Sequence, residues 1–87
     1  MIVHYKFIGG LEKLLGTDRE TLCVENSAAS DLTIFQGYAA LCNARGICMG
    51  ARERNLIKFY RMETLADQDS LVAEGDKIIV FLPVSGG

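Results

Sequence analysis

Few side chains in this 87-residue chain are of a type and spacing that could do chemistry. Cys23, Cys42 and Cys48 form no CxxC pair, and the single histidine, His4, lies far from them in sequence. A zinc site therefore lacks its usual ligand spacing. Cys23 falls in a strand-like run and Cys42 in a helix-like one, where each reads as a small buried hydrophobe. Cys48, in the loop Gly46-Ile47-Cys48-Met49-Gly50, is the cysteine open to a redox or sulfur-relay role. His4 reads as a surface residue of a strand, and no nucleophile–base pair accompanies it. The acid pairs Asp67/Asp69 and Glu74/Asp76 sit in turns, where carboxylates mostly bond backbone N–H groups. Gly9-Gly10 is too short to be a phosphate loop, and both glycine-rich nucleotide-binding patterns are absent.

By elimination the candidate is the end of the sequence, Phe81-Leu82-Pro83-Val84-Ser85-Gly86-Gly87. An apolar strand runs into a proline and then into small residues. Glycine has no Cβ, so a Gly-Gly end can thread a narrow tunnel. Pro83 fixes one φ and stiffens the exit. Such a tail can carry the Gly87 carboxylate into another protein's active site, where ATP could activate it as an acyl-adenylate. The alternative is a frayed, glycine-rich end without a function.

The elements that must position this tail follow from periodicity. Residues 2–8 alternate, with Val3, Tyr5 and Phe7 on one face, which predicts a half-buried strand ended by Gly9-Gly10. Leu11, Leu14 and Leu15 predict a turn or two of helix stopped by Gly16. Residues 21–25 read as a second strand, making a hairpin with the first. From Leu32, the apolar stripe Ile34, Phe35, Tyr38, Leu41, Cys42 predicts an amphipathic helix capped by Ser30 or Asp31 and stopped near Arg45-Gly46. Gly37 weakens that helix, which predicts close packing there. Residues 46–55 read as a loop and 56–62 as a third strand. Residues 63–74 read as acidic turns anchored by Leu65, Leu71 and Val72. After the turn Glu74-Gly75-Asp76, residues 77–82 form a near-continuous apolar run, expected to be buried on both faces or to meet a partner. A terminal strand buried this well belongs in mid-sheet, parallel to the N-terminal strand and covered by the long helix. The expectation is an α+β, β-grasp (ubiquitin-like) domain over residues 1–87, with a mixed sheet of four to five strands and one main helix.

Composition narrows the function classes. Apolar residues make up 49%, too many for a disordered chain, and no apolar run reaches the roughly 20 residues of a membrane helix. No secretory signal is legible at the N-terminus, so a cytoplasmic location is expected, without a membrane partner. The net charge of −2 gives no support for nucleic-acid binding. Residues 45–61 nevertheless carry five cations against Glu53, whereas residues 62–87 carry Lys77 against five acids. The basic run is either a solvated loop facing an acidic hairpin or a docking patch. Phe59 and Tyr60, in a strand-like setting, are expected in the core.

Glu74-Gly75-Asp76-Lys77 followed by Val80-Phe81-Leu82-Pro83-Val84-Ser85-Gly86-Gly87 resembles the C-terminal signature of the MoaD family, the small sulfur-carrying subunits of molybdopterin synthase. Phe7-Ile8 and Leu14-Leu15-Gly16-Thr17-Asp18 resemble that family's first strand and following turn. Glu12-Lys13 stands where the family has an Arg-Glu pair, Leu82 replaces the first of two prolines, and residues 46–58 diverge. Similar tails occur in the thiamine sulfur carrier ThiS and in ubiquitin-like modifiers. The resemblance implies that a ubiquitin-activating-like adenylating enzyme activates Gly87 with ATP and that sulfur then replaces AMP, giving a thiocarboxylate. It implies docking on a large, MoaE-like synthase subunit with Pro83, Val84, Ser85 and Gly86 inserted into the partner. It implies no permanently bound cofactor and no metal site. Strand parity puts Ile8, Ile79 and Phe81, together with Ile2, on the face away from the helix, where they form either the expected docking surface or a patch covered by the chain's own loops.

Overall fold

The computed structural model describes residues 1–25, 31–47 and 51–82, and the side chains of all of these except 51–53. Alternation in the first strand, β1 (Ile2–Ile8), is strict. Val3, Tyr5 and Phe7 are buried, while Ile2, His4, Lys6 and Ile8 are exposed. Helix α1 (Leu11–Leu15) follows and buries Leu11 and Leu15 but leaves Leu14 outside. It ends at Gly16, whose left-handed φ of 77° lets its N–H close on the Glu12 carbonyl, as the sequence predicted. Strand β2 (Arg19–Cys23) then returns antiparallel to β1.

The main helix, α2 (Ile34–Asn43), is capped by Thr33 rather than by Asp31; Ser30, the other expected cap, lies outside the described residues. Gln36 explains the choice. Its N–H donates to Thr33 Oγ1 at 3.1 Å and its side-chain carbonyl accepts from the Thr33 N–H at 3.0 Å. This reciprocal box needs a Gln or Glu three residues after the cap, and Thr33 alone has one. Gly46, at φ 75°, lies just beyond the helix end, where a stop was expected. A short helix, α3 (Ala51–Leu56), replaces the loop expected over residues 46–55. Six residues are too few to display a helical period.

Strands β3 (Lys58–Arg61) and β4 (Thr64–Ala66) form an antiparallel pair, and β5 (Lys77–Phe81) completes the sheet. The order is β2-β1-β5-β3-β4, with β5 parallel to β1 and antiparallel to β3. One core joins the inner sheet face (Val3, Tyr5, Phe7, Phe59, Ile78, Val80) to Leu11, Leu15, Ile34, Tyr38, Leu41 and Cys42 of the helices. Gly37 is pressed against it. A Cβ there would land on the Tyr5 hydroxyl, which donates to the Ile34 carbonyl at 3.0 Å. Close packing at this glycine was the expectation, and the Tyr5 side chain is its cause.

Several side chains depart from expectation. Cys23 is exposed, because β2 is an edge strand and its register places Cys23 beside Ile2 on the outer face. Leu65 and Leu71 are exposed, which leaves Val72 as the anchor of that segment. Phe59 is buried, but Tyr60 points outward and is half-buried.

Candidate functional site

The turn Glu74-Gly75-Asp76 launches β5. Gly75 takes φ 77° and its N–H donates to the Ile2 carbonyl at 2.8 Å. Asp76 accepts from the Ala73 N–H at 2.7 Å and pairs with Arg61 at 3.0 Å. These bonds tie the start of β5 to β1 and β3. At its other end Phe81 stands beside Ile8 and Lys58. Leu82, half-buried, still packs against the core. Gly9 shapes this exit. At φ 71°, a Cβ on it would sit 2.6 and 2.7 Å from two carbons of the Phe81 ring and 3.1 Å from the Leu82 carbonyl. The glycine therefore makes room for the last aromatic ring of β5, a role that its sequence context signalled only as a strand break.

Residues Pro83, Val84, Ser85, Gly86 and Gly87, the tail expected to react and to insert, lie outside the described residues, as does Cys48. An extended stretch of five residues spans about 17 Å, which is the reach available to Gly87 from Leu82.

Ile8, Ile79 and Phe81 all lie on the sheet face opposite the helices. Register places Ile8 next to Phe81, and Ile79 between Lys6 and Tyr60. Leu65 extends the row beyond Tyr60. Ile2 shares the face but stands six residues from Ile8, about 20 Å along the strand, with His4 and Lys6 between them. It is no part of the same patch.

The neighbouring half of this face is cationic. His4, Lys6, Arg19, Thr21, Lys77 and Ile79 border a depression of about 410 Å³. In the basic run at 45–61, in contrast, three arginines are taken up within the chain. Arg45 pairs with Glu20, Arg54 with Asp69 at 2.8 Å, and Arg61 with Asp76. Arg54 also lies over the Phe35 ring, 4.7 Å from its centroid. The cationic half of the sheet face escaped sequence reasoning because its residues come from three strands. The signal that could have found it was the parity of Lys6 and Lys77 with Ile79.

A five-stranded mixed sheet in this order, with its helices packed on one face, is the ubiquitin-like β-grasp fold. The structure is similar to the crystal structure of SAMP1 from Haloferax volcanii, at TM-score 0.73 and 24% identity over 100% of both chains. It is similar to a Pyrococcus furiosus protein provisionally described as molybdopterin converting factor subunit 1, at TM-score 0.70 and 17% identity over 97% of this chain and 99% of that one. It is also similar to the solution structure of small archaeal modifier protein 1 from Methanosarcina acetivorans, at TM-score 0.68 and 18% identity over 99% and 96%. No protein-family model and no curated protein matches the sequence.

Proposed function

We propose that this chain is a sulfur carrier of molybdopterin biosynthesis, with Gly87 as its reacting group. One observation carries the reading. The β-grasp body ends its central strand at Phe81, and after Leu82 the next five residues are the Pro-Val-Ser-Gly-Gly motif. The Gly87 carboxylate attacks the α-phosphate of ATP on a ubiquitin-activating-like enzyme, forming an acyl-adenylate and releasing pyrophosphate. A persulfide sulfur then attacks the acyl carbon and displaces AMP. A second thiol cleaves the resulting S–S bond and frees the thiocarboxylate. The carrier next docks through Ile8, Ile79 and Phe81 on a large synthase subunit, with Pro83 to Gly86 threaded toward its active site. Catalysis here is positioning of a tethered atom; acid, base and anion-binding groups belong to the partner.

A second reading, conjugation of Gly87 to lysines, is favoured by neighbours that are themselves named modifier proteins. Both readings share the adenylation step. Intact mass spectrometry after incubation with the adenylating enzyme, ATP and a persulfide donor tests the first. The expected product gains the mass of one sulfur less one oxygen, and a chain lacking Gly86-Gly87 gains none. An unchanged mass beside an active control carrier overturns it. Gly87 found in isopeptide linkage on cellular proteins, with no thiocarboxylate formed, selects the second.

A further inference from the structure

We propose that the open sheet face docks a protein surface whose apolar centre is bordered by carboxylates. Outside the helix-covered face, register assembles two kinds of side chain into adjoining rows. One row runs Arg19, Lys6, Ile79, Tyr60, Leu65 across four strand boundaries, and beside it run Thr21, His4 and Lys77. The cations Arg19, Lys6 and Lys77 thus cluster on β2, β1 and the start of β5, while Ile8, Ile79, Phe81, Tyr60 and Leu65 form an adjoining apolar patch with Lys58 at its edge beside Phe81. Leu65 is 61% exposed and Ile8 37%, so the apolar half is open to a partner.

Two observations say which charge that partner carries. Lys6 lies directly across from Arg19, and like charges facing one another on adjacent strands destabilise a sheet. Among the described residues neither Lys6 nor Lys77 has an ion-pair partner, and Arg19 has only Asp18, at 3.6 Å with both side chains well exposed. Glu20, the one acid among the described residues that border the depression, is taken up by Arg45 on the helix side. A chain of net charge −2 therefore gathers Lys6, Arg19 and Lys77 around one hollow and leaves them unneutralised there. Carboxylates on a docking partner relieve that repulsion and speed encounter.

This inference rests on the docking role proposed for the sheet face, and it is tested on the adenylation reaction. Lys6→Glu and Lys77→Glu each lower the charge by two, as does the control Ala40→Glu/Asn55→Asp on exposed helical positions away from the face. Each Lys variant is expected to lower kcat/KM for the carrier in ATP–pyrophosphate exchange by roughly tenfold at low salt. The gap should close to within about twofold near 1 M salt, where the Debye length is about 3 Å. The control should match the wild type. Lys6→Glu should also raise the thermal midpoint by on the order of 2–4 °C, because a carboxylate now faces Arg19; lost turnover is then not lost folding. Lys variants as fast as the wild type, or a control equally slowed, overturn the inference while leaving the sulfur-carrier reading intact.

If the wild type is not adenylated, that reading fails and the inference is decided by NMR titration with a peptide alternating glutamate and isoleucine. Shifts confined to residues 4–8, 19–21, 58–65 and 77–81, and absent with a lysine–isoleucine peptide, uphold it. No shifts, or equal shifts with both peptides, overturn it. Inorganic phosphate reproducing the shifts points instead to a small-anion site, and a concentration-dependent dimer abolished by Lys6→Glu points to a second copy of this chain. Either result overturns it.

Discussion

Gly37→Ala sets two effects of opposite sign against each other. Alanine favours the helix by about 1 kcal/mol over glycine. The new methyl, however, occupies the place of the Tyr5 hydroxyl and also comes within 3.1 Å of a Leu22 methyl. Overpacking a filled core costs about 1–3 kcal/mol. Displacing the Tyr5 hydroxyl from the Ile34 carbonyl leaves a buried donor unpaired, for about 1–3 kcal/mol more. These terms sum to a loss of about 1–5 kcal/mol, at roughly 4–8 °C of thermal midpoint per kcal/mol for a domain this small. Urea unfolding followed by circular dichroism measures it. Adding Tyr5→Phe removes the obstructing oxygen, so the double variant should recover at least about 1 kcal/mol relative to Gly37→Ala alone. A stabilised Gly37→Ala protein, or a Tyr5→Phe change that adds to its loss, refutes the packing argument.

Three further outcomes are expected. Tyr38 Oη is buried beside the Cys42 thiol, a weak partner, and makes no hydrogen bond of normal geometry among the described residues, so Tyr38→Phe should be neutral or stabilise by up to about 2 kcal/mol in the same unfolding assay. Burial raises the pKa of Tyr5, with Asp76 adding to the effect, and burial likewise raises Tyr38. The unfolded tyrosines ionise first, so stability is full below pH 10 and falls above it, at up to about 2.7 kcal/mol per pH unit for two groups; alkaline unfolding curves with a flat stability above pH 10 would contradict this. Gly9→Ala strains a left-handed backbone and drives the Phe81 ring aside, so it should cost about 1–3 kcal/mol and alter the tail exit; amide shifts of Phe81 and Leu82 unchanged from wild type would exclude it.

Much of the sheet was legible because the apolar pattern says directly which strand is central. The unbroken run Ile78 to Leu82 placed β5 in the middle, and the alternation of β1 assigned Val3, Tyr5 and Phe7 to the core. What was not legible depends on pairings between distant residues. Cys23 reads as a core residue until β2 is known to be an edge. The cations of residues 45–61 read as one patch until Arg45, Arg54 and Arg61 are seen to pair with Glu20, Asp69 and Asp76. The cationic hollow is the converse, because Lys6, Arg19 and Lys77 are unremarkable in sequence and meet only through register. Leu65 and Leu71 read as anchors because hydrophobicity alone does not tell an inner position from an outer one.

The place of β5 also governs when the molecule comes into being. The β1–β2 pair and the β3–β4 pair are joined within the sheet through β5 alone. Two-stranded ribbons are marginal in water, so a nascent chain that has not reached Lys77 holds two ribbons and no sheet. His4 must wait 73 residues for its neighbour Lys77, a long loop to close before any contact rewards it. Assembly of the sheet thus awaits its last strand. A chain cut short before Lys77 lacks the one strand with which both ribbons pair, so the fold itself distinguishes a complete body from a partial one.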